Sequence, residues 1–325
     1  MKEKRLFKFG ILALSIVLIA CTGGSAEAGC PEIDGREINV VATTPMIGEF
    51  VSQVGGDNIN LTVLMPAEAD PHNYDPAPQD AGTIADADLV FYTGLKYEPA
   101  ALVKLLENSA CSAEVLAEVG ENVFPIEFKE GGHDDHDEEG HDDHAGHDHG
   151  AYDPHFWFDP NRVAYAAEYI ESKLVEFDPS NASEYEAAGK AYVTELKGLV
   201  GQVSELISTI PSQNRKLITT HESLGYLEAK FGLEVLSTII PSLDSANEIS
   251  PSQLVGVIDV IEDNNVKVIF IEAEAPSVYA ETIVAETGIK AVEGLWVETL
   301  KEGQSYSEFL FDAVELIVEN LRNTD

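Results

Sequence analysis

The stretch Ser183–Ile210, SEYEAAGKAYVTELKGLVGQVSELISTI, reads as one long helix, broken at Pro211. At about 1.5 Å per residue it runs roughly 40 Å, more than one small domain needs and suited to a strut between two. What flanks it has the same grammar on both sides. Upstream, short strands at 38–44, 61–64 and 89–93 and a weaker one at 123–126 alternate with helices at 47–54, 79–85 and 98–108, and a further helix covers 161–177. Downstream, strands at 216–220, 234–238, 266–271 and 290–292 alternate with helices at 224–231, from the Ser250-Pro251-Ser252-Gln253 cap through 262, and 277–287, and an amphipathic helix at 306–321 closes the chain. Strands that alternate with helices imply parallel βα units. The expected fold is therefore α/β: two domains with mainly parallel four-stranded sheets, 36–181 and 212–325, joined by a rigid linker helix at 182–211. No GxGxxG or Walker loop follows any strand, which argues against nucleotide binding.

The amino terminus stands apart from this pattern. Lys2, Lys4, Arg5 and Lys8 precede an apolar run at 9–20, too short to span a membrane comfortably, and the whole reads as a signal peptide, 1–20. The run ends in Leu18-Ile19-Ala20-Cys21, which resembles a bacterial lipobox and makes Cys21 the expected lipidation site, with 21–35 as a flexible tether. The chain is then exported and held at the outer face of the cell membrane. The formal charge of the 325 residues is −39, and loss of residues 1–20 makes the remainder more negative still. Such a surface repels nucleic acid and anionic lipid, and both are excluded as partners. Beyond Cys21 there are two cysteines, Cys30 and Cys111. Export permits a bridge between them, two buried thiols are the alternative, and their separation excludes a CxxC zinc or redox motif.

The histidines carry the chemistry. Six of the nine (His133, His136, His141, His144, His147 and His149) crowd into 131–150 beside eight acids. That segment has no aliphatic side chain larger than alanine, so it is expected to be disordered without metal and to bind metal weakly. The other three stand alone. His72 lies in Asp70-Pro71-His72-Asn73-Tyr74-Asp75-Pro76-Ala77-Pro78, shortly after the second strand. His221 directly follows the strand at 216–220, in Thr220-His221-Glu222-Ser223-Leu224-Gly225-Tyr226. Both places lie beyond the carboxyl ends of strands, where open α/β sheets bind ligands. His155 sits in a turn stiffened by two Asp-Pro pairs, Asp153-Pro154-His155-Phe156-Trp157-Phe158-Asp159-Pro160. A core histidine is the ordinary reading of any one of these, but none of the three lies mid-element on a core face. His221-Glu222 lacks the second histidine of HExxH, which speaks against a zinc protease and leaves Glu222 as the sole tempting base for a zinc-dependent hydrolase.

These motifs resemble the cluster A-1 metal-binding receptors of ABC importers, the zinc- and manganese-binding family, and in particular its high-affinity zinc-uptake branch. The resemblance covers essentially the whole chain beyond the signal peptide. It rests on DPHxYxPxPxD at 70–80, DPHFWFDP at 153–160 and the looser HESLGY at 221–226. It implies two α/β domains joined by a long rigid helix, with one metal in the cleft between them. His72 and His155 would then be ligands from the first domain and His221 from the second. In manganese members an aspartate near the carboxyl end supplies the fourth ligand. Here Trp296-Val297-Glu298-Thr299-Leu300 stands in that place, so Glu298 is the candidate, with water as the alternative. Three imidazoles favour the softer, later metals, zinc, copper and nickel among them, over Mn²⁺; zinc accepts three histidines plus one oxygen, and manganese members of the family use a carboxylate where His221 stands. The expectation is a monomeric, lipid-anchored receptor, not an enzyme, that delivers Zn²⁺ as cargo to an ABC permease. A manganese receptor, a surface zinc buffer or adhesin, and a zinc-dependent hydrolase are the other readings.

Overall fold

The computed structural model describes Cys30, Ile33 and residues 35–128, 152–245, 247–274 and 277–322. The expected signal peptide, Cys21, most of the tether and the histidine-rich segment 131–150 lie outside these residues.

The first domain runs β1 (Ile38–Ala42), α1 (Pro45–Gly55), β2 (Ile59–Val63), α2 (Pro78–Ala85), β3 (Leu89–Tyr92), α3 (Ala100–Ser109), β4 (Leu116–Glu118) and α4 (Pro160–Phe177). The long helix α5 follows (Ala182–Ser208). The second domain runs β5 (Lys216–His221), α6 (Gly225–Phe231), β6 (Glu234–Ile240), α7 (Pro251–Asn264), β7 (Val268–Glu272), α8 (Ala280–Thr287), β8 (Lys290–Leu295) and α9 (Tyr306–Leu321). Both sheets are wholly parallel and share one strand order, β2-β1-β3-β4 and β6-β5-β7-β8. In each, the order reverses between the first and third strands, which opens a crevice at their carboxyl ends.

Local chemistry explains where the helices start. Thr44 caps α1, accepting the N–H of Ile47, and Pro45 opens it. Asp159 does the same for α4 ahead of Pro160. Ser250 rather than Ser252 caps α7, in a capping box with Gln253, and Ser305 and Glu308 form the same box on α9.

One expected strand is in the wrong place. The fourth strand of the first sheet is Leu116–Glu118, paired with Val90–Tyr92, and not 123–126. Pro125 has no N–H to give a ladder, and Phe124 has φ 53°, left-handed backbone that ends extension. Val123 is buried all the same, at the end of a short 3-10 turn. Beyond it, Glu127 forms an isolated antiparallel bridge with Tyr152, on the far side of the histidine-rich segment.

Cys30 is disulfide-bonded to Cys111, just past α3, which pins the entry of the chain to the first domain. The long helix is packed along its length. Tyr185, Tyr192, Leu196, Leu199, Val203 and Ile207 are buried, against α1 and α4 of the first domain and α9 of the second. One apolar cluster runs unbroken from Ile38 and Phe50 through Leu196 and Trp157 to Phe270, Phe309 and Val314, so the halves share a core. Helix α9 begins against the first domain: Tyr306 stacks edge-on with Phe50 at 5.4 Å and donates to the Trp157 carbonyl at 2.7 Å. Among the described residues no helix is long and apolar enough to cross a membrane.

Candidate metal centre

The triplet Asp-Pro-His occurs at 70–72 and again at 153–155, and it builds the same device twice. In each, the aspartate accepts the backbone N–H of the histidine, at 3.0 Å from His72 and 2.8 Å from His155. The proline between them fixes φ. Each histidine therefore leaves a turn whose backbone is already set. The His72 turn is stiffened further by Asp80, which accepts the Tyr74 hydroxyl and the Ala77 N–H, both at 2.8 Å. Asp153 also accepts from Nδ1 of His155 at 2.8 Å.

The second domain supplies its groups from the crevice of its own sheet. His221 is the last residue of β5, and Glu272 is the last residue of the adjacent β7. Glu272 meets His221 Nδ1 at 2.5 Å. An extra residue in β8, Gly294 at φ 90°, shifts the register opposite Glu272 and bends the strand there. Glu298 follows β8, where Glu274 Oε1 accepts the consecutive N–H groups of Val297, Glu298 and Thr299 at 2.9–3.2 Å.

These groups converge. Oε1 of Glu298 lies 3.3 Å from Nε2 of His72, 3.3 Å from Nε2 of His155 and 2.7 Å from Nε2 of His221. One donor atom from each of the four residues falls within 4.8 Å of every other. For zinc bonds of about 2.0–2.1 Å a tetrahedral shell has edges of about 3.3 Å, so small side-chain shifts would close this set around one ion. The side chain of His72 is 5% exposed and the other three are fully buried. Because Asp153 and Glu272 hold the Nδ1 protons of His155 and His221, Nε2 is the nitrogen each ring turns inward, and its lone pair becomes available once its proton leaves. Nε2 of His221 is buried and faces the Glu298 carboxylate at 2.7 Å. Imidazole nitrogens gathered on one carboxylate oxygen inside the fold are donors that a single ion can bridge.

The charges are coupled. Burial pushes His155 down, but the Glu298 charge and the hydrogen bonds to Asp153 and Glu298 outweigh it and raise the imidazole to about 9. Burial of His221 is likewise overcome, by Glu272 first and Glu298 second, and it ends well above the usual imidazole range. Burial also opposes ionisation of Glu298, yet His155 and His72 hold its carboxyl well below the usual carboxylate range.

A family profile described as "Zinc-uptake complex component A periplasmic" matches residues 40–323. The chain belongs to this family. The high-affinity zinc uptake system protein ZnuA of Bacillus subtilis is 30% identical over 323 residues, 96% of this chain and 96% of the relative. The manganese-binding lipoprotein MntA of Halalkalibacterium halodurans is 24% identical over 313 residues, again 96% of each. The solved periplasmic zinc binding protein TroA from Treponema pallidum superposes with a TM-score of 0.74 at 23% identity, covering 88% of this chain and 99% of that one, a likeness of fold. Members of the zinc-uptake component A family are solute-binding receptors of ABC importers and not enzymes.

Within this zinc-uptake component A chain the structure brings together all four residues singled out from the sequence. It leaves Glu222 aside: that carboxylate accepts the Thr238 hydroxyl at 3.1 Å and is not among the converging group. The six clustered histidines lie outside the described residues. Sequence reasoning missed Asp153, Glu272, Glu274 and Tyr97 as partners of the site. Asp153 had a visible signal, the repeated Asp-Pro-His triplet. Glu272 had one too, as the acid that ends the apolar strand Val268-Ile269-Phe270-Ile271. Tyr97 and Glu274 had none, since their roles come from contacts across the fold.

Proposed function

We propose that the chain is an extracytoplasmic receptor, anchored through Cys21, that captures one Zn²⁺ ion and presents it to the permease of an ABC importer. His72 and His155 of the first domain, and His221 and Glu298 of the second, are its ligands in this reading. The observation that carries it is the gathering of three imidazole Nε2 atoms around one carboxylate oxygen, in a pocket closed to solvent and built from both domains. Three nitrogens and one oxygen suit four-coordinate zinc, whereas Mn²⁺ favours more oxygen donors. The full-length similarity to a relative named for zinc uptake supports the same metal. The relatives named for manganese keep a manganese receptor as the second reading.

Metal analysis of protein purified without supplementation, followed by calorimetric titration, tests this. Wild type takes up one zinc tightly and prefers it to manganese. A variant carrying His72→Ala, His155→Ala and His221→Ala loses that site while keeping its fold by circular dichroism. Tight one-to-one zinc retained by the triple variant would overturn the ligand assignment, and a wild-type preference for manganese would overturn the metal. The histidine-rich segment is proposed to collect zinc weakly near the centre. A variant lacking 131–150 should bind fewer weakly held ions and take up zinc more slowly when the metal is scarce.

A further inference from the structure

The phenol of Tyr97 crosses from the first domain to the second. Its hydroxyl donates to Oε2 of Glu298 at 2.8 Å and lies 3.1 Å from the Glu298 backbone carbonyl. Tyr97 is 2% exposed and Glu298 fully buried, so little room is left for water to take that place. The carboxylate is thus divided. Oε1 is the oxygen that meets all three imidazoles, and Oε2 is the oxygen Tyr97 holds. The Tyr97 ring also packs edge-on against His72 at 5.1 Å and Trp157 at 5.3 Å, which fixes the direction of its hydroxyl.

The backbone before Tyr97 is strained. Gly94, Leu95 and Lys96 all have positive φ, at 75°, 53° and 63°. Left-handed backbone is uncommon for side chains such as Leu and Lys and persists where the surroundings over-determine it. Two carboxylates do so here. Glu98 accepts the N–H of Thr93 at 2.6 Å, the N–H of Gly94 at 2.9 Å and the Thr43 hydroxyl at 2.8 Å. Glu118 accepts the N–H of Leu95 at 2.9 Å. The turn so held runs directly into Tyr97, whose phenol stands opposite Glu298.

We propose that Tyr97 is a specificity-determining positioning residue: by holding Oε2 it restricts Glu298 to a single ligating oxygen and keeps the site four-coordinate. This rests on the zinc-receptor reading above. A carboxylate free to bind through both oxygens would make the donor set five, with two oxygens, and would move it toward the larger oxygen-preferring ions. Tyr97 does not touch the metal in this scheme. It acts through Glu298, from the opposite domain, so the restriction is complete only while the domains are docked.

The test is Tyr97→Phe, which removes one oxygen and keeps the ring. Cobalt(II) is the spectroscopic probe, because its visible absorption is intense when four-coordinate and weak when five- or six-coordinate. Wild type is expected to give the four-coordinate spectrum, and Y97F a weaker, five-coordinate one. In competition titrations Y97F loses about 10- to 100-fold in zinc affinity, the usual cost of losing a partner of a metal ligand, and keeps its manganese affinity, so its preference for zinc falls by the same factor. A merely structural role would lower affinity for both metals alike and leave the cobalt spectrum unchanged, and that result overturns the proposal. If Y97F does not fold, X-ray absorption of the wild-type zinc complex decides instead. One short carboxylate oxygen beside three nitrogens supports the proposal, and two oxygens from Glu298 overturn it. Failure of wild type to bind zinc at all would sink the receptor reading itself, a result these comparisons keep separate.

Discussion

At the scale of single residues, the centre is governed by carboxylates that never need to touch the ion. Asp153 and Glu272 fix which nitrogen of His155 and His221 carries the proton. Asp153→Asn and Glu272→Gln should each weaken zinc binding by about 10- to 100-fold with one-to-one stoichiometry retained, as read by competition with a chelator. Protons compete for the same nitrogens. His155 titrates at about 9, above its ordinary 6.5, so in the metal-free protein its charge contributes stability that is complete below 6.5 and is lost as pH rises through about 9. Zinc needs that nitrogen bare, so the dependence of binding has the opposite sign. Affinity should rise with pH up to about 9 and fall by up to about tenfold per unit below it for each proton displaced. Calorimetry at neutral pH in two buffers of unlike ionisation enthalpy should show at least one proton released per ion. A pH-independent affinity between 6 and 9 would contradict the charge coupling. His72, His155 and His221 were legible because Pro- and Asp-flanked turns advertise fixed side chains. Glu298 was legible only through resemblance, since nothing in Trp296-Val297-Glu298-Thr299 separates a buried ligand from a surface acid. Glu272 is 51 residues from the histidine it orients, a pairing that only the sheet reveals.

At the scale of elements, boundaries follow caps and prolines. Ser305 closes a capping box on α9, the helix that ties the second sheet to α5 and the first domain. Ser305→Ala should cost about 1 kcal/mol of unfolding free energy without changing zinc stoichiometry. Leu196, fully buried at the middle of α5, is a larger test: Leu196→Ala should cost about 2–5 kcal/mol in denaturant unfolding. A loss under 1 kcal/mol would show that α5 spans solvent as an independent strut. That strut is how its length alone reads, and the burial on both sides is what the sequence did not reveal. Strands with an unbroken apolar run, such as β3 and β7, were evident. β4 was not, because three residues that end in an acid carry little pattern and the more apolar 123–126 run is disqualified by Pro125 and by the conformation of Phe124.

At the scale of the molecule, the halves are one body. The apolar cluster crosses from sheet to sheet, and Trp157 Nε1 donates to the Val297 carbonyl and the Tyr226 hydroxyl to the Asp153 carbonyl, both at 2.8 Å and both between domains. Metal-free protein should therefore melt in a single transition by calorimetry, and zinc at a thousand times its dissociation constant should add about 4 kcal/mol by mass action. Solution scattering profiles of the two forms should superpose, and a clear drop in radius of gyration on loading would point to a hinge. The antiparallel bridge between Glu127 and Tyr152 has a different kind of consequence. It brings the two flanks of the histidine-rich segment side by side on the first domain, so the chain leaves and re-enters the fold at one place. A chain in which a short Gly-Ser linker replaces residues 131–150 should therefore keep the melting temperature of the parent to within about 2 °C by calorimetry, because both ends of the replacement remain fastened to the same bridge.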